Sequence, residues 1–197
     1  MPAVKTHTAD LATRLVDEAG RLLSTEGAAA LSLRRLAAAT GTSTMAVYTL
    51  FGDKQGLLAA MYRAGFERLG GALEAAQADD DPLAALANLG LAYRATALAN
   101  PHLYDLMFGH PVATFAPDAE AQRVADAAYR PLVEAVRRCL DAGALVGGDA
   151  ERIAGYLWAV SHGMVSLELA GHFDGDEAAR DAAYNDALVF SSVPFLP

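Results

Sequence analysis

The sequence predicts an all-α protein of about nine helices: a three-helix helix-turn-helix domain followed by a larger helical domain. Three observations predict it. Nearly every long segment repeats its apolar residues at helical spacing, and none alternates as a strand does. Glycine and proline fall where these segments stop and start. Hydrophobic residues make up 53% of the 197, enough to bury a sizeable core, and charged residues only 20%, which excludes a disordered chain.

The elements follow in order. Residues 8–26 place Leu11, Leu15, Ala19, Leu22 and Leu23 on one face, and Gly27 stops the helix. Ser32 caps a short helix over 33–40 that ends at Gly41. Thr42 and Ser43 cap the next, over 44–50. Asp53 caps a longer helix reaching about residue 77, with Leu57, Leu58, Met61, Tyr62 and Leu69 as its apolar positions. Asp79, Asp80 and Asp81 before Pro82 mark a helix start and a boundary. Further helices read over 82–99, 101–108, 118–141, 150–172 and 176–192, with loops at 109–117 and 143–149. The expected organisation is 1–54 for the helix-turn-helix domain, 55–81 for a connecting helix and boundary, and 82–197 for the second domain. The 53–77 helix is then the only covalent link between the halves. Ile153–Ala170 is mostly apolar but contains Ser161, His162, Ser166 and Glu168, so it reads as a buried helix rather than a membrane span.

Charge divides the chain. The formal net charge is −9. Residues 1–70 carry eight Lys or Arg against six Asp or Glu, and the remainder seven against eighteen. The first third can face a polyanion that the rest would repel. A single cysteine, Cys139, excludes an internal disulfide framework and a multi-cysteine zinc site. The start, MPAVKTHTAD, has no apolar stretch of the kind a signal peptide needs, so a reducing cytoplasm is expected.

The most specific pattern lies in residues 33–54. Two short helices flank Gly41, with Ala37 four residues before it and Val47 six after. Helices crossing steeply over a tight turn need a small residue at closest approach, a permissive residue in the turn and an apolar lock on the second helix. Leu36, Val47 and Leu50 then point inward, and Ser43, Thr44, Met45, Tyr48 and Thr49 outward. Such a second helix enters the major groove of double-stranded DNA. Thr44 and Thr49 can hydrogen-bond a base edge or phosphate, and Met45 can meet a thymine methyl. Tyr48 can reach a phosphate. No Arg, Asn or Gln lies on 44–50, so Arg34 and Arg35 are the nearest guanidiniums. Lys54, together with the amides that open its helix, can hold a phosphate. With Thr42, these residues make the DNA-binding set.

Residues 8–58 resemble the DNA-binding domain of the TetR family of bacterial transcriptional regulators. The resemblance rests on Gly41-Thr42-Ser43-Thr44-Met45-Ala46-Val47-Tyr48-Thr49-Leu50-Phe51-Gly52-Asp53-Lys54, with its Tyr-x-x-Phe-x-x-Lys stretch. The chain carries Leu50 where the family often has His before the Phe. The resemblance implies a homodimer, a repressor more often than an activator, bound to a palindromic operator and released by a small molecule. Residues 82–193 are similar to the C-terminal domain type bearing Trp-x-x-x-His-Gly, here Trp158 to Gly163.

Within that segment Gly155, Ala159 and Gly163 recur every four residues and form a flat face for another helix. Trp158, His162 and Val165 lie on an adjacent face that can look into the core. Either the flat face serves a dimer, or it packs within one subunit. The dimer reading adds Ala183, Ala187 and Phe190 of the 176–192 helix, forming the four-helix interface the family uses. The effector-pocket candidates are Tyr93, Tyr104, Met107, Phe108, Phe115, Tyr129, Trp158 and Met164, with His110, His162 and Glu168 as polar anchors, which suits an apolar or aromatic effector. Glu168 and His172, four apart, read as an ion pair or as two metal ligands, too few for a site. Cys139 reads as a buried, inert thiol, although Arg137 and Arg138 are close enough to activate it. No enzyme motif is present, and no cofactor or metal is expected. The competing expectation is a helical small-molecule-binding protein or enzyme that does not bind DNA specifically.

Overall fold

Short polar caps start most of the helices. In this computed structural model, which describes residues 3–109 and 112–197 (side chains from Asp10 on), Ser32 Oγ accepts from the Arg35 amide at 3.3 Å and Ser43 Oγ from Ala46 at 3.1 Å. Asp53, Asp118, Asp149 and Asp176 each accept an amide hydrogen bond from the residue three positions on, at 2.8–2.9 Å. Each such cap satisfies an amide that the helix itself leaves without a partner.

Nine α-helices lie among the described residues: α1 (Ala3–Glu26), α2 (Leu33–Thr40), α3 (Thr44–Phe51), α4 (Lys54–Ala76), α5 (Pro82–Ala99), α6 (Pro101–Tyr104), α7 (Ala119–Asp141), α8 (Ala150–Leu169) and α9 (Glu177–Ser192). A π-turn, Asp105–Gly109, follows α6, and a 3₁₀ turn, Val193–Phe195, follows α9. The all-helical class stands. Three bounds differ from the sequence reading. Helix α1 begins at Ala3, five residues before the expected start. Only the first turn of the expected 101–108 helix is α, and the rest widens into the π-turn that buries both Leu106 and Met107. The last helix turn expected over 170–172 is absent. Gly171, at φ +76°, breaks α8, and the His172 amide folds back onto the Leu167 carbonyl at 2.9 Å.

The chain forms two compact units. Unit 1 holds Met1–Glu67 together with Asn100–Ala125. Its core includes Leu15, Leu22, Leu36, Val47, Leu57 and Leu58, all essentially inaccessible to solvent. The inclusion of Asn100–Ala125 departs from the expected 82–197 domain, and glycines explain it. A Cβ on Gly20 of α1 would lie 2.0 Å from the His102 ring, and one on Gly65 of α4 would lie 2.5 Å from Met107 Sδ. Only glycine leaves these notches open, and α6 with its π-turn occupies both. The rings of Tyr62, Phe66, Phe108, Tyr104 and Phe115 continue the same packing, with neighbouring centroids 4.9–5.8 Å apart. The chain passes between the units three times, inside α4, between α5 and α6, and inside α7, so α4 is not the only covalent link.

Unit 2 holds Arg68–Ala99 and Asp126–Pro197. Val136, Cys139, Leu145, Ile153, Ala154 and Leu157 centre its core. Arg138 donates to the carbonyls of Gln77 at 3.2 Å and Asp79 at 3.0 Å, satisfying acceptors where α4 ends. Arg94 of α5 forms a fork with Glu168 of α8, at 2.7 and 2.8 Å, and reaches Asp181 of α9 at 2.7 Å. These hydrogen bonds hold the guanidinium pKa above its ordinary range. Glu168 is therefore tied to Arg94, and to Arg180 at 3.6 Å, rather than to His172, which is exposed beyond the end of α8. No cluster of metal-ligating side chains occurs among the described residues. None of the described helices is long and apolar enough to cross a membrane.

Candidate nucleic-acid interface

The turn between α2 and α3 is built as its spacing predicts. Gly41 takes a left-handed conformation, φ +66° and ψ 25°, that a side chain would strain. The Thr42 amide closes onto the Ala37 carbonyl at 3.0 Å. Ala37 is buried, and Val47 is fully buried beneath α3. Leu50 is only half-buried. The burial of Val47 fixes which side of α3 faces out.

That outer side carries the expected residues. Met45 is 74% exposed and Tyr48 52%. Thr49 is exposed, and its hydroxyl donates to the Met45 carbonyl at 2.9 Å, leaving its oxygen able to accept. Ser43 is exposed but serves as the α3 cap, and Thr42 and Thr44 are half-buried. Arg34 is exposed and makes no ion pair with a described residue. Arg35 is different: its guanidinium is paired with Glu26 of α1.

Lys54 has a local partner as well. Its ammonium donates to the carbonyl of Ala28, in the loop after α1. One amide of the first turn of α4, that of Gly56, is already taken by the Asp53 carboxylate. The phosphate cradle expected from Lys54 and these amides is thus partly occupied by the protein's own groups. Sequence spacing could not reveal this, because the Ala28 carbonyl reaches Lys54 only through the fold of unit 1.

The pocket candidates separate into two groups. Tyr104, Met107, Phe108 and Phe115 lie in unit 1, in the ring cluster above. Tyr93, Tyr129, Trp158, His162 and Met164 lie in unit 2. There, Tyr93 Oη is 3.2 Å from His162 Nδ1, and the Trp158 ring lies 5.6 Å from Tyr129 and 6.0 Å from His162. Burial depresses the His162 pKa, favouring the neutral ring. Burial likewise raises the pKa of Tyr129. Trp158 is 37% exposed rather than turned fully into the core. His110 lies outside the described residues. Cys139 is buried, its thiol donating to the Pro82 carbonyl at 3.2 Å, and burial pushes its pKa up despite Arg138. That is the inert thiol.

The glycine stripe of α8 also divides. A Cβ on Gly155 would meet Tyr129 Oη at 3.6 Å, so this position packs within the subunit. Gly163 faces open space and Ala159 is exposed. On α9, Ala183 and Ala187 are half-buried and Phe190 is 70% exposed. Sequence reasoning missed the neighbours of Phe190. Val189 and Val193 are 59% and 54% exposed, and Tyr156 and Leu167 of α8 are also exposed. The detectable signal was an apolar run at the end of an otherwise polar helix.

Comparison with known proteins adds to this geometry. Residues 15–61 match the family model described as bacterial regulatory proteins, tetR family. Residues 86–190 match the tetracyclin repressor-like C-terminal domain. A search of the curated proteins found no match. Among solved structures, a protein of unknown function from Rhodococcus sp. RHA1 is 33% identical, covering 95% of this chain and 96% of that one, with a TM-score of 0.81. A regulatory protein designated SCO4313 is 27% identical, covering 96% and 98%, at a TM-score of 0.79. The TetR family transcriptional regulator PfmR from Thermus thermophilus is 24% identical, covering 89% and 96%, at 0.72, and shares the fold.

Proposed function

The chain belongs to the TetR family of bacterial regulatory proteins, DNA-binding and non-enzymatic, and on that premise we propose a homodimeric repressor that a small effector releases from a palindromic operator. One observation carries the DNA-binding part of this reading. On α3, Val47 locks the inner face while Met45 and Tyr48 stand far out of the surface. Met45 and Tyr48, three apart on one helix face, form a contiguous exposed pair rather than scattered single residues. A helix face of hydroxyls displaying one methionine and one tyrosine suits a groove with thymine methyls and phosphates. Arg34 supplies the nearest exposed guanidinium, and Arg35 can contribute only after leaving Glu26.

The exposed apolar residues of α8 and α9 support the homodimer. Two copies of α3 must then sit about 34–36 Å apart, or a multiple of one DNA turn, to enter successive major grooves. The C-terminal domain is of the Trp-x-x-x-His-Gly type, and Tyr93, Tyr129, Trp158, His162 and Met164 favour an apolar or aromatic effector in unit 2. Binding there changes operator affinity through α4, α7 and the α5–α6 junction by a coupling of about 1–3 kcal/mol. The protein acts in the cytoplasm, where its operator lies.

The test is selection of bound duplexes from a randomised pool, with Tyr48→Ala beside the unaltered chain. Enrichment of an inverted repeat, lost in the variant, is expected. A folded dimer that enriches nothing at low salt overturns the operator reading and leaves a ligand-binding protein.

A further inference from the structure

We propose that the Arg94 ion network is a positioning device for self-association, setting the rotation at which α9 presents Val189 and Phe190 to a second copy of this chain. The inference rests on the homodimer reading above.

Helix α9 meets α5 along one stripe. Asp181 bonds Arg94 at 2.7 Å, Tyr184 Oη donates to the Gly90 carbonyl at 2.8 Å, and Leu188 fills the notch at Gly90, where a Cβ would lie 2.6 Å from its side chain. The Arg94 guanidinium also lies 5.4 Å from the Tyr184 ring centre. These positions are three, four and seven residues apart, one face of a helix. Ala182, Asp186, Val189, Phe190 and Val193 are left outward. The rotation of α9 about its axis therefore decides whether the apolar residues face solvent or unit 2.

Tyr184 and Leu188 against Gly90 limit that rotation, and apolar contact fixes it less sharply than a directional ion pair does. Burial free energy is non-directional, and much of α9 is alanine, with small side chains that pack in more than one orientation. A guanidinium is different, because its planar fork fixes the direction of each partner. Here it holds Glu168 of α8 and Asp181 of α9 at once; the Arg94 and Glu168 side chains are only 12% and 7% exposed, while the Asp181 carboxylate is half-exposed. A buried ion pair adds little net stability over apolar side chains of similar size, and its best-attested use is to set registry.

The test separates stability from positioning. The full chain is compared with Arg94→Met/Glu168→Met and with Arg94→Lys, which keeps the charge and loses the fork. Thermal unfolding and the dimer dissociation constant, by analytical ultracentrifugation, are read on each. The double variant is expected to keep its Tm within about 5 °C while its dimer weakens at least about tenfold. Arg94→Lys is expected to fold normally and weaken the dimer by roughly three- to tenfold. If either variant folds and dimerises within about twofold of the unaltered chain, the inference is overturned. A monomeric unaltered chain overturns the homodimer reading itself, and this inference with it.

Discussion

Met45 on α3 and Phe190 on α9 are exposed to nearly the same degree, 74% and 70%, yet their surroundings differ. Around Met45 the outer face of α3 is hydroxyl-bearing, with Ser43, Thr49 and Tyr48, and the arginines of α2 belong to the same unit. Around Phe190 the exposed neighbours are apolar, Val189 and Val193 within one turn. Exposure alone does not tell the two positions apart. The neighbouring chemistry distinguishes them: hydroxyls and guanidiniums suit a polyanion, and contiguous apolar side chains suit another protein surface.

The largest effect is expected from placing a charge on the apolar side of this contrast. Phe190→Asp should weaken self-association by about 2 kcal/mol or more, roughly 30-fold. Because the side chain lies mostly in solvent, the stability of the isolated chain should shift by no more than about 0.5 kcal/mol. Sedimentation velocity and chemical denaturation read the two separately. Self-association that survives the substitution would remove Phe190 from the interface.

Lys54→Ala sharpens the other side. It should lower the slope of log affinity against log salt by about one unit. It should also cost about 1 kcal/mol of stability, because the ammonium bonds the Ala28 carbonyl. Operator titrations at several salt concentrations, with a denaturation curve, measure both. Lost stability with an unchanged slope would make Lys54 a purely structural residue.

The smallest effect concerns His162, a half-buried residue of unit 2 that belongs to neither face. Burial holds its pKa below the ordinary 6.5. As pH falls through 6.5 the unfolded chain takes up a proton that the folded chain resists. The contribution of the neutral ring to stability is therefore complete above that pH and is lost below it. The Tm should fall between pH 7 and 5.5, and His162→Gln should flatten that fall. An equal decline in both proteins would assign the pH dependence to other groups.

The helix-turn-helix was readable from residue types because its determinants are local. Ser32, Ser43 and Gly41 each act within a few positions of themselves, and Val47 is buried where α3 packs on its chain neighbour α2. The outward set on α3 followed from the same spacing. The pocket set was less legible, since aromatic identity does not say which unit a ring joins. Exposure was half legible: Gly155 packs against Tyr129 while Phe190 faces out, although both were expected on open faces.

From its residues alone, then, the chain determined its helical class, its caps and turn glycines, and the face α3 turns outward. These depend on interactions spanning about one helical turn. Only the tertiary structure decided that α6 and its π-turn pack with α1 and α4, that Arg35 and Lys54 are held by Glu26 and Ala28, and that Arg94 ties three helices together. Those pairings join groups far apart in the chain. Notch shape, burial and the closing of ion pairs select them only once the helices have packed.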